Sequence, residues 1–178
     1  MNRELNVDEL IQLLGELDKA IATPITVRAV GGFALAWHGV RANGLTADID
    51  SITDDYPAEV ASAIEKIGTK HGLSSWWLNN DAAADEADFL IESMGLEWEP
   101  VECGLEHISL FVGNLESLLK LKLSAVEDSV LSGRTRDLDD TIGILKALGF
   151  TKLEFKRKYS YLQDDMPHAY ALVSRAIW

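Results

Sequence analysis

The stretch Gly31–Thr53, GGFALAWHGVRANGLTADIDSIT, decides how this chain is read. It opens on paired glycines and closes on the alternation Asp48-Ile49-Asp50. Just before it, ITVRAV (25–30) is short and β-branched, and reads as a buried strand. The glycine pair then turns the chain into a short helix, FALAWHGV, RANGLT (41–46) reads as a loop, and ADIDSIT (47–53) as a second strand. Side chains alternate across a strand, so Asp48 and Asp50 face one way while Ile49 faces the core. Carboxylates roughly 7 Å apart on one face can share divalent cations. In two-metal sites the ions lie about 3.5–4 Å apart and clamp the oxygens of a phosphoryl displacement. Oxygen donors favour Mg²⁺ or Mn²⁺ over zinc. Gly31 and Gly32 have no Cβ, so a ligand can approach the backbone closely, and N–H groups at a helix start attract phosphate. Taken singly, a Gly-Gly pair is also a plain turn, and an Asp-x-Asp is also a solvated strand face. In this order they describe a phosphate cradle beside a metal seat, suited to a nucleoside triphosphate. The Walker pattern GxxxxGK[ST] does not occur.

Working outward, NVDELIQLLGELDKAIA spaces Leu10, Ile11, Leu13, Leu14, Leu17 and Ile21 as a helix, with Asp8 near its start and Pro24 ending it. Asp54, Asp55 and Pro57 open another helix, which Gly72 closes. NNDAAADEADFLIESMG (79–95) reads as helical, and EWEPVECGLEHISLFVG (97–113) as one or two strands broken near Gly104. LESLLKLKLSAVEDSVL (115–131) and RDLDDTIGILKALG (136–149) read as amphipathic helices, and the tail as one or two more. The expected class is α+β, a mixed sheet flanked by helices. A core over 1–114 is followed by a helical C-terminal region over 115–178, expected to pack on it.

The composition is that of a soluble globular protein, with 47% hydrophobic and 25% charged residues in 178. Cys103 is the single cysteine, so no intrachain disulfide forms. No run of eighteen apolar residues occurs, and the first residues lack the apolar stretch of a signal peptide. A cytoplasmic protein with no membrane partner is expected. The 29 acidic residues against 16 basic ones, a net −13, argue against a broad DNA-binding surface, since phosphate backbones need Lys and Arg. A local exception is the cluster Lys152, Lys156, Arg157 and Lys158. His71, His107 and His168 have no zinc-like spacing. The pair Trp76-Trp77 reads either as packing or as a stacking surface for a base.

The glycine pair, short helix and Asp-x-Asp strand together resemble the nucleotidyltransferase superfamily of polymerase-beta-like fold. The form VGGFALAWHGVRANGLTADID is similar to a small bacterial branch related to abortive-infection-type nucleotidyltransferase toxins. That branch carries an Arg and a Thr before the aspartates, for which Arg41 and Thr46 stand here, with Ala-Asn-Gly lengthening the usual spacing. It also carries a Lys helix followed by an Arg and an Asp-x-x-Asp helix, matched by Lys122, Arg136, Asp137 and Asp140. The resemblance spans about residues 25–55 and 115–148.

The resemblance implies a nucleotidyltransferase-like sheet, with Asp48 and Asp50 as catalytic ligands of Mg²⁺ or Mn²⁺. It implies that Gly31, Gly32, Arg41, Thr46 and Lys122 bind the nucleoside triphosphate. Arg136, Asp137 and Asp140 would support them. Active members use a third carboxylate on a neighbouring strand, and Glu106 is the residue assigned to it. The implied reaction moves a nucleoside monophosphate to a hydroxyl on a protein, a tRNA end or a small molecule. A toxin acting with a cognate antitoxin fits this pattern. Two alternatives stay open: an inactive member that binds a nucleotide or a protein, and a drug-modifying nucleotidyltransferase.

Overall fold

Asn6 starts the first helix. Its side chain accepts the Glu9 N–H at 2.9 Å, while the Glu9 carboxylate accepts the Asn6 N–H at 3.0 Å. This reciprocal cap opens α1 (Val7–Asp18), directly after a two-residue strand β1 (Leu5–Asn6). The cap is therefore Asn6, where the sequence pointed to Asp8. The helix also stops at Asp18, well before Pro24, although Ile21 continues its spacing. The Asp18 side chain is committed elsewhere: its carboxylate accepts the backbone N–H groups of Glu106, His107 and Ile108 at 3.0, 2.7 and 3.0 Å.

The computed structural model describes residues 3–41, 43–83, 87–129 and 136–177. Parts of the helices expected over 79–95 and 115–131 (84–86 and 130–131), and one loop position, 42, lie outside the described residues. The chain divides into two units, Met1–Asn114 and Leu115–Trp178.

In the first unit, β2 (Ile25–Val30) leads directly into α2 (Gly31–Trp37). The segment expected as a loop contains β3 (Leu45–Thr46), antiparallel to β1. Then come β4 (Ile49–Ser51), α3 (Ala58–His71) and β5 (Leu78–Asn79). Gly72 ends α3 in the left-handed region, at φ +67. The unit continues with α4 (Ala87–Met94), β6 (Trp98–Pro100) and β7 (Ile108–Gly113). Five strands form one mixed sheet in the order β5-β4-β2-β7-β6. β2 is antiparallel to β4 and parallel to β7, β4 is parallel to β5, and β6 is antiparallel to β7. Leu10, Leu14, Leu17, Val27, Phe33, Ile49, Ile52 and Trp77 are fully buried. The Trp77 indole N–H, which needs an acceptor once buried, donates to the Ile64 carbonyl at 2.9 Å.

The second unit is helical: α5 (Leu115–Ser129), α6 (Arg136–Ala147), α7 (Lys152–Lys158), α8 (Leu162–Asp165) and α9 (Pro167–Ala176). Among the described residues the tail thus holds three helices, where the sequence predicts one or two. Pro167 sits at the first helical turn of α9, where a missing N–H is harmless. Glu127 of α5 caps that turn, accepting from His168 Nδ1 and the Ala169 N–H, each at 2.7 Å. Leu119, Ile144, Phe155 and Val173 are fully buried. Mixed α and β elements around a five-stranded sheet, with a helical C-terminal part, define an α+β protein. No helix among the described residues is long and apolar enough to cross a membrane.

Candidate functional site

The site begins where β2 ends. Gly31 has φ +58, a conformation that side chains resist and glycine accepts. A Cβ on Gly31 would fall well under 3.0 Å from Asp50 Oδ2. A Cβ on Gly32 would meet Thr46 Oγ1 and Arg41 Nη1 at similarly impossible distances. Close approach therefore favours glycine at both positions, and at Gly31 the left-handed backbone does so as well. Ahead of them Val30 is the N-cap and supplies no side-chain hydrogen bond. The first N–H groups of a helix lack partners within it, so this helix start offers donors.

Asp50 lies on β4 and is paired in register with Val30 on one side and Asn79 on the other. Asp48 precedes the strand. Ile49 and Ser51 are fully buried, whereas Asp48 and Asp50 are partly exposed. Thr46, itself buried, brings its Oγ1 to 3.4 Å from both the carbonyl and Oδ1 of Asp48. The structure thus gathers Gly31, Gly32, Arg41, Thr46, Asp48 and Asp50 around one turn. The small β1–β3 sheet positions Thr46 there.

Glu106 is not at this turn. β7 runs parallel to β2 with Ile25 opposite Ile108, so Glu106 lies at the end where β2 starts. Gly31 follows six residues after Ile25, roughly 20 Å along an extended chain. The Glu106 N–H is spent on Asp18, as above. On the strand beside Asp50 the facing residue is an amide, Asn79, whose Nδ2 donates to Asp50 Oδ1 at 3.2 Å. Asn79 was missed in the sequence. It sits on a two-residue strand with no periodicity, and Asn79-Asn80-Asp81 reads as a helix cap.

Lys122, Asp137 and Asp140 come together within the second unit. Lys122 Nζ lies 2.7 Å from Asp137 Oδ1 and 2.9 Å from Asp140 Oδ2, and all three side chains are largely buried. The three-residue spacing on α6 delivers both carboxylates to one ammonium. Arg136 opens α6 and is exposed.

The remaining candidates take structural places. Trp77 is core, while Trp76 is 65% exposed. His38 Nε2 donates to the Gly113 carbonyl at 2.9 Å. His71 and His168 each meet a separate glutamate, Glu16 and Glu127. Burial pushes the Cys103 thiol up, away from thiolate chemistry.

The two carboxylates and the Thr46 hydroxyl make an oxygen-only ligand set beside the N–H groups of the glycine turn. Among the described residues no group of three or more His, Cys, Asp or Glu is arranged to hold a metal. A pair suits a hard cation that keeps positions for water and phosphate, as Mg²⁺ does with one or two carboxylates. Comparison of the chain with family models, curated proteins and solved structures returns no match.

Proposed function

We propose that the first unit is a nucleotidyltransferase-like domain that binds a nucleoside triphosphate with Mg²⁺ or Mn²⁺ and transfers its nucleoside monophosphate to a hydroxyl. The observation that carries this reading is the packing of Asp50 on Gly31, with Thr46 and Arg41 on Gly32. Asp48 and Asp50 would repel a polyphosphate held at this turn unless a cation joined them. Asp48 and Asp50 would hold that cation, which when bound would offset negative charge on the reacting phosphates.

In this reading the α2 N–H groups bind phosphate oxygens, and Arg41 sets a guanidinium against the same turn. The acceptor hydroxyl attacks the α-phosphorus, the bond to the β-phosphate oxygen breaks, and pyrophosphate leaves. By holding that cation, Asp48 and Asp50 would help place the triphosphate for in-line attack, which contributes through positioning. The hydroxyl proton is released to solvent water as the new phosphate ester forms.

A second reading is favoured by one observation: Glu106, the acid expected to complete the site, lies at the other end of β2, and the residue beside Asp50 on the next strand is the amide Asn79. A domain with two acids binds the metal–triphosphate complex and does not turn it over. Incubation with Mg²⁺ and each α-labelled nucleoside triphosphate, with cell extract as acceptor source, separates the two. Label transfer that disappears in Asp48→Asn/Asp50→Asn supports the transferase. Tight binding with no transfer supports the binding module.

A further inference from the structure

We propose that Asn79 is a positioning residue that sets the Asp50 carboxylate for a divalent cation, holding Oδ1 so that Oδ2 is left facing Gly31. This rests on the metal–triphosphate reading of the site.

Asn79 is 5% exposed and lies in register beside Asp50. Every end of it is held. Its Nδ2 donates to Asp50 Oδ1 at 3.2 Å and to the Trp76 carbonyl at 3.3 Å. Its Oδ1 accepts the Asp81 N–H at 3.0 Å. A backbone N–H can only donate, so the amide oxygen must face Asp81 and the NH₂ must face Asp50. The orientation follows from the network and has no equivalent flip.

The backbone of Asn79 is anchored as well. Ser51 Oγ, fully buried, donates to the Asn79 carbonyl at 2.7 Å and pairs with Tyr56 OH at 2.8 Å. Burial pushes the Tyr56 phenol up to about 12, still further above neutral pH than an ordinary phenol. β4 and β5 are thereby fixed to each other at the Asp50 position.

An amide is the side chain that fits. It donates to a carboxylate without adding charge beside two acids. Aspartate at 79 would set acceptor against acceptor and add a third negative charge. With Oδ1 engaged, the other Asp50 oxygen is the one that faces the glycine turn. Groups that orient a metal ligand in this way typically change metal affinity by about 10–100-fold when removed.

The test uses the full chain with Mn²⁺ and inorganic tripolyphosphate, followed by water-proton relaxation enhancement. Asn79→Ala should weaken Mn²⁺ binding about 10–100-fold, and Asp50→Asn should abolish it. Asn79→Ser, too short to reach Asp50, should show the same loss and serves if the alanine variant does not fold. Each is measured below its own melting temperature. Wild-type Mn²⁺ affinity in a folded Asn79 variant, with binding lost in Asp50→Asn, overturns the role of Asn79 and leaves the site reading standing. No Mn²⁺ binding by the unsubstituted protein overturns both.

Discussion

The Asp50 carboxylate occupies the space that a side chain on Gly31 would fill. One glycine thus meets two demands, a left-handed backbone and room for an acid. Gly39 offers the contrast, with φ +68 but nothing within 4 Å of a built Cβ. Gly39→Ala should lose about 1–2 kcal/mol of stability from backbone strain alone. Gly31→Ala should lose that and also displace Asp50, removing Mn²⁺ binding. Chemical denaturation together with relaxation titration of both variants checks this. Equal metal binding in the two would break the link between Gly31 and Asp50.

Asp18 should make the first unit acid-sensitive. Burial works to raise its pKa, but the N–H groups of Glu106, His107 and Ile108 outweigh burial and lower it. The folded value therefore lies below the unfolded one, near 3.9. The stabilisation is complete above about pH 5 and is lost as pH falls through the folded pKa. Asp18→Asn should cost about 2–3 kcal/mol at pH 7, in the range for hydrogen bonds to a charged group. It should also flatten the acid limb of a stability–pH curve measured by urea denaturation.

Lys122 should matter to the second unit's stability whatever it does for a ligand. Lys122→Met leaves Asp137 and Asp140 without this ammonium in a largely buried setting. A loss of about 3–5 kcal/mol is expected, since removing one member of a buried ion pair takes away the opposite charge it was desolvated against. Adding Asp137→Asn and Asp140→Asn should recover most of it, because the two carboxylate charges that faced the ammonium are then gone. Urea denaturation of the single and triple variants measures both steps.

Much of the sheet was legible because its strands announce themselves. ITVRAV is β-branched and ends on glycines, and Gly72 marks the end of α3 in the left-handed conformation it adopts. The pieces that escaped are too short for periodicity. β1, β3 and β5 have two residues each, and their pairing comes from partners distant in sequence. That is why the segment before Asp48 reads as a loop although Thr46 is paired with Leu5. It is also why Asn79 reads as a cap. The misplacement of Glu106 has the same origin: acid and strand are both visible, but which end of β7 lies beside Gly31 depends on the parallel register with β2. The Asp137–Lys122–Asp140 cluster was readable in part, because helical spacing shows the two acids on one face but not the cation they meet.

The most direct test of the site is calorimetric titration of the full chain with each nucleoside triphosphate, in Mg²⁺ and again in excess chelator. At least one triphosphate should bind in Mg²⁺, fail to bind in chelator, and fail to bind to Asp48→Asn/Asp50→Asn, with the variant still folded. Absence of binding to every triphosphate, or binding that survives loss of both carboxylates, would contradict a metal–triphosphate site at the Gly31 turn.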